Sequence, residues 1–193
     1  MTGRLLVFFA AFGITPAFAH PPPLGVTGFT GGLIHPAFVP AHLLAIVALS
    51  ILIGQQAGWG FKVALVFAGG LGAGMAIMTF GVVPRSMTEA VMALAVCAGL
   101  LIAWARPLSA IFGAGLAASI GFCVALDSPP ETISVAEANR MLFGTGLGAL
   151  ALLAVCLWIA RHLATFRSGI VARVAGSWIA ASAILFLALR LAG

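Results

Sequence analysis

GFTGGLIHPAFVPAHLLAIVAL, residues 28–49, decides how this chain is read. It sets His35 and His42 around two prolines, Pro36 and Pro40, at the start of an apolar run. These are two of only 4 histidines in 193 residues. Ionisable side chains at membrane depth are costly, so they point first to function. On a straight helix, positions i and i+7 share a face but stand about 10.5 Å apart along the axis. That is too far for one metal ion, whose nitrogen ligands lie at about 2 Å. Proline removes a backbone donor and biases the residue before it away from helix. A break between the histidines could fold His35 back towards His42, or leave them as successive stations on an ion path. The alternative is a pair of interfacial histidines, each bonded to a backbone carbonyl.

Around this stretch the chain is almost without polar chemistry. Hydrophobic residues make up 63% and charged residues 7%, against about 25% charged in soluble domains. With a mean hydropathy of +1.22, the composition is that of a polytopic membrane protein. A pI of 10.6 raises nucleic-acid binding, but the 9 Lys and Arg are dispersed at segment ends. No basic stripe or aromatic platform accompanies them, so nucleic acid is excluded as a partner. Cys97, Cys123 and Cys156 fall inside apolar segments without CxxC spacing and read as small packing residues. No GxSxG, Walker, HExxH or CxxCH motif occurs, and no enzyme is expected.

The N-terminus has the pattern of a cleavable signal peptide over residues 1–19. Arg4 is its charged region, Leu5 to Ile14 its apolar core, and Ala17-Phe18-Ala19 its cleavage pattern. The rival is an uncleaved first helix. Cleavage would leave His20 as the new N-terminus. Its amine and ring nitrogen could then chelate a soft or borderline cation, or be merely solvated. Residues 20–193 form a single transmembrane domain with six spanning segments: Phe38 to Ile53, Phe61 to Val82, Glu89 to Trp104, Pro107 to Leu126, Ala138 to Leu163 and Ile170 to Leu191. The expected class is an all-α membrane protein, a six-helix transmembrane bundle in a lipid bilayer. A span needs about 20 residues, so the first and third are short. For the first, the Gly-rich stretch Gly28 to Pro36 could complete it as a re-entrant half-helix, tolerated where protein or water covers the backbone.

Positive residues orient the bundle. With the mature N-terminus outside, Lys62, Arg106, Arg161, Arg167 and Arg173 are inside, and Arg85, Arg140 and Arg190 outside. The acids Glu89, Asp127, Glu131 and Glu137 all fall outside. This follows the positive-inside rule and places both termini on the outer, periplasmic side of a bacterial inner membrane. Trp59, Trp104 and Trp158 fall at inner helix ends, where an aromatic belt belongs. Gly70 with Gly74, Gly144 with Gly148, and Gly28 with Gly32 form small-xxx-small pairs for close helix packing, within the bundle or towards a protein partner or second copy.

Few other residues could carry chemistry. S86-M-T-E89 reads as a capping box with Ser86 at N-cap and Glu89 at N3. Glu89 also lies on the same side as His35 and could give a cation an oxygen ligand. S134-V-A-E137 is a second capping box. Met75 and Met78 share a helix face but read as gap fillers before Cu(I) ligands. His162, beside Arg161, reads as a partner for a helix C-terminus.

The opening stretch resembles the HupE/UreJ family of membrane proteins, whose motif is Gly-Phe-x-x-Gly-x-x-His-Pro-x-x-Gly-x-Asp-His-Leu-Leu-Ala-Met-Val-Ala. The match holds at Gly28, Phe29, Gly32, His35, Pro36, His42, Leu43, Leu44, Ala45, Val47 and Ala48. The resemblance implies a cleaved signal, six spans, and an inner-membrane permease or accessory protein handling a divalent metal, nickel first. It implies no bound cofactor. Glu89 falls where the family tends to place an acid. Val39 stands in place of the motif Gly, Ile46 in place of Met, and Ala41 in place of Asp. The family's second run, Phe-His-Gly-x-Ala-His-Gly-x-Glu, should fall near Gly121 to Glu131, which holds no histidine. The expected metal site is therefore reduced to His35 and His42, with Glu89 or His20. A membrane scaffold that keeps the fold without transport is the second reading.

Overall fold

The computed structural model describes residues 26–56, 58–80, 86–130, 134–164 and 169–192. The expected signal peptide and His20 lie outside them. The described residues form seven helices and no strand: α1 (Gly28–Phe38), α2 (Pro40–Gln55), α3 (Gly60–Thr79), α4 (Thr88–Trp104), α5 (Ala110–Leu126), α6 (Val135–Ala164) and α7 (Ile170–Ala192). The all-helical membrane class expected from composition is the one observed. The spans match the hydropathy segments to within a few residues at nearly every described end.

Where the sequence put a half-helix, α1 stands. It meets α2 at a bend of 66°. Taken as one broken span, the pair joins α3, α6 and α7 as helices long and apolar enough to cross a bilayer. Helices α4 and α5 have 17 residues each. At about 1.5 Å per residue they reach some 25 Å, short of a hydrocarbon core of about 30 Å. They are shorter apolar helices, α4 with Glu89 in its first turn, so three helices, or four with the broken pair, meet the length of a span where six were expected.

Three helix pairs surround α2. Helix α1 lies on α6, α3 on α5, and α4 on α7, while α2 packs mainly on α6 and α4. Glycine lets these backbones approach, because lipid offers helices no hydrophobic drive to associate. A Cβ at Gly144 or Gly148 would run into the carbonyls of Phe29 and Leu33, and one at Gly32 into that of Met141. Gly70 and Gly121 join α3 to α5 likewise, and Gly99 meets Gly176 between α4 and α7. Thus Gly32, Gly70, Gly74, Gly144 and Gly148 are used inside the chain. Gly69, Gly72 and Gly115 face open space. The core runs along α2 through Ile46, Leu49 and Leu52, against Phe67, Met92, Ile102 and Ile120.

The alternation of helices sorts charge by end. His42, Glu89, Asp127 and Glu137 lie at one end with Arg140 and Arg190. Lys62, Arg106, Arg161 and Arg173 lie at the other. Trp104 and Trp158 are exposed at that second end, whereas Trp59 is buried over the α5 backbone at Gly113.

Candidate metal site

Of the two prolines, Pro40 makes the break, while Pro36 is carried inside α1. Val39, which precedes Pro40, is extended at φ −87 and ψ 110, and Pro40 opens α2. The pre-proline residue is pushed out of the helical region, and a first-turn proline gives up only a donor that has no partner there. The Val39 N–H donates to the His35 carbonyl at 3.0 Å, and Leu43 N–H donates to the Val39 carbonyl at 2.9 Å. The break thus sits between His35, in the last turn of α1, and His42, in the first turn of α2. It brings the ring centroids to 5.4 Å, edge to face at 63°.

His42 is fully buried, and its partner is Asp127, 85 residues away in sequence. The distance from His42 Nε2 to Asp127 Oδ2 is 3.2 Å, and the aspartate side chain is 6% exposed. An ionised carboxylate only accepts, so the proton of this bond sits on Nε2. In the neutral ring that leaves Nδ1 with a lone pair. Nδ1 is buried, with no hydrogen-bond partner among the described residues.

Asp127 is held from several sides. Met87 N–H donates to Oδ1 at 2.8 Å, and the Thr88 hydroxyl lies 2.9 and 3.0 Å from the two oxygens. Ser86 Oγ is 3.4 Å from Oδ1. Burial alone would raise the carboxyl's pKa, but the bonds from His42, Thr88 and Met87 outweigh it and hold the group below its ordinary value. One side chain therefore caps the N-terminus of α4 from a neighbouring helix and fixes the tautomer of His42.

This replaces the expected local cap. Helix α4 begins at Thr88, with Met87 at its N-cap. Ser86 is one position too early and bonds Thr88 Oγ1 at 2.8 Å. The orphan donor of Met87 goes to Asp127 because that carboxylate brings a full negative charge to the positive end of the helix. Glu89 turns elsewhere: its Oε1 accepts from Arg190 Nε at 3.0 Å, tying α4 to the end of α7. Both side chains are about half exposed, at 41% and 53%. No contact joins Glu89 to the histidines among the described residues. Helix α6 starts just after Ser134, with Glu137 in its first turn, where the second box placed them.

The remaining candidates are structural. Met78 packs with Leu126 and Leu142, and the Met75 thioether fills the space facing Gly146. His162 Nδ1 donates to the Trp158 carbonyl at 2.8 Å in the last turn of α6. The three cysteines are free thiols. Among the described residues no three of His, Cys, Asp and Glu converge at metal-holding distance. The closest approach to such a set is the His35–His42–Asp127 chain.

Sequence reading missed Asp127. One signal could have found it. It follows Leu126 at the end of α5, and an acid at a helix C-terminus faces the negative end of that helix's dipole. Such a residue needs a donor from elsewhere. Neither the curated proteins nor the solved structures contain a match to this chain. The model of the family described as HupE / UreJ protein matches residues 7–186, nearly the whole sequence, and the chain belongs to that family.

Proposed function

We propose that this protein moves a divalent transition metal, nickel first, across the bacterial inner membrane, or delivers it as an accessory protein, without catalysing a reaction. The family is associated with nickel and metal transport or accessory roles. The observation that carries the reading is His42: fully buried, bonded through Nε2 to Asp127, and packed against His35. A carboxylate on the far nitrogen is how metal-ligating histidines are oriented and made more basic. His42 Nδ1 and the His35 ring would receive the ion at the outer end of α2. A histidine at residue 20 would add to the site if the signal is cleaved there. Glu89 would contribute only after release from Arg190.

The orientation we propose puts Lys62, Arg106, Arg161 and Arg173 inside and both mature termini outside, in keeping with the positive-inside rule. The membrane potential would then favour inward movement by about 2.3 kcal/mol per charge per 100 mV. The test is nickel accumulation in cells, with metal analysis of purified protein. His42→Ala should abolish accumulation while the protein remains inserted, and His35→Ala with His42→Ala should remove bound metal. Unchanged accumulation in cells lacking the protein would reject the permease reading.

The absence of a three-residue ligand set among the described residues favours a second reading, a scaffold without transport. The outward-facing Gly69 and Gly72 would then be its docking face. Near-zero metal in wild type and double variant alike would favour it.

A further inference from the structure

A cleft lies at the opposite end of the bundle from the histidines, where α4 ends and α7 begins. Its walls are Ala103, Ile170, Arg173, Val174 and Ser177, and it encloses about 260 Å³. Arg173 is fixed there by one edge. Its Nε donates to the Ala103 carbonyl at 3.1 Å, one of the last-turn carbonyls that a helix leaves without an internal donor. The bond sets the guanidinium plane and leaves its terminal amino groups free to point outward. Among the described residues no carboxylate pairs with Arg173. The Ser177 hydroxyl donates to the Arg173 carbonyl at 3.0 Å, so the guanidinium alone supplies donors to the cleft.

From this geometry we propose that the cleft binds the phosphate headgroup of an anionic phospholipid of the inner leaflet. The two terminal amino groups of a guanidinium match phosphate oxygens bidentately, and the Ala103 carbonyl, holding Nε, pre-orders them. Ile170 and Val174, 59% and 51% exposed, carry the cleft out onto the apolar face of α7. That continuity suits an acyl chain and serves no purpose for free phosphate. Trp104, next to Ala103 and 61% exposed, marks headgroup level. Lys62, Arg106 and Arg161 share this end, while Glu89, Asp127 and Glu137 lie at the other. An anionic headgroup therefore meets attraction here and no described acid.

Native mass spectrometry of the full chain released from detergent tests this, with phosphatidylglycerol or phosphatidylcholine added. Wild type should bind one phosphatidylglycerol about fivefold tighter than phosphatidylcholine, the gain expected of one basic residue at the membrane surface. Arg173→Gln should erase the preference. Arg173→Lys, which keeps the charge but not the anchored edge, should retain part of it. Lys62→Gln, outside the cleft, should leave it intact. Inorganic phosphate at millimolar concentration should not displace the lipid. The proposal is overturned if the preference survives Arg173→Gln, or if Lys62→Gln weakens it equally. Displacement by inorganic phosphate would overturn the lipid assignment. Should Arg173→Gln fail to fold, full wild-type preference in Arg173→Lys would dispose of the anchored-edge geometry.

Discussion

The two ends of α2 solve the same problem with different chemistry. Each must tie the central helix to α4 and α5. At the N-terminal end the tie is ionisable: His42 reaches Asp127 at the end of α5, which in turn holds Met87 and Thr88 at the start of α4. At the C-terminal end the ties are neutral amides. Gln55 Nε2 donates to the Ile102 carbonyl at 3.3 Å. Gln56 donates to the Arg106 carbonyl at 2.9 Å and accepts from Leu108 N–H at 3.0 Å. Between the ends, Ile46, Leu49 and Leu52 are fully buried, and Ser50 turns its hydroxyl onto the Ile46 carbonyl at 2.8 Å. A charge-bearing tie can exchange its partner for a cation. An amide-to-backbone tie can only open or close. On the proposed function, that difference gives ion recognition to the His42 end, where the ionisable groups lie.

The largest effect should come from Asp127→Ala. It strips His42, Met87 and Thr88 of one shared acceptor in a buried setting, which costs on the order of 3 kcal/mol. Thermal unfolding in detergent should show that loss, and metal accumulation should vanish. Asp127→Asn, nearly the same shape, separates the two consequences. It should keep most of the stability yet weaken metal binding about 10- to 100-fold, as expected when a ligating histidine loses its carboxylate. The sharper experiment moves the acid. Ala41 precedes His42 in the first turn of α2 and is buried, so a carboxylate there gains from the helix dipole and loses by desolvation. Ala41→Asp in the Asp127→Ala background should restore part of the accumulation. Failure of this rescue, with the protein folded, would mean that the acid's place on α5 matters and not merely its charge.

Pro40→Ala should have an intermediate effect. It returns an N–H at residue 40 and frees Val39 to become helical, so α1 and α2 can straighten and the rings part towards about 10 Å. Metal affinity should fall roughly tenfold, as expected when the geometry around a ligand is lost, with little change in melting. The glycine contacts of α1 on α6 oppose the straightening. If affinity is unchanged, that seam alone sets the bend and the proline is redundant.

Legibility in the sequence followed the range of the forces. Spans come from hydropathy summed over about 20 neighbouring residues, and their bounds agreed closely with the helices. The break between His35 and His42 was readable because Pro40 acts on the adjacent backbone of Val39, although Pro36, which suggested it equally, stays inside α1. Asp127 was not, since nothing near it names a partner 85 residues away. The capping box of Ser86 and Glu89 failed for the same reason: a buried carboxylate took the Met87 donor and Arg190, 101 residues on, took Glu89. Local rules lose where tertiary packing offers a charged acceptor.

The smallest effect belongs to Gln56→Ala. Both hydrogen bonds go to a short connection between α4 and α5, and water can replace them because the site is open. Two bonds of about 1 kcal/mol each, partly recovered by solvent, leave a loss of about 1 kcal/mol. Metal affinity should stay within about twofold of wild type, since Gln56 and His42 are linked only through whole helices, α2 directly over about 20 Å and α5 by way of Leu108 and Asp127. Accumulation should be unchanged, because the substitution does not touch His35, His42 or Asp127. A fall in metal affinity comparable to that of Asp127→Asn would break the comparison. It would show that the Gln56 end helps to shape the His42 site, and that the helices joining them transmit strain along their length.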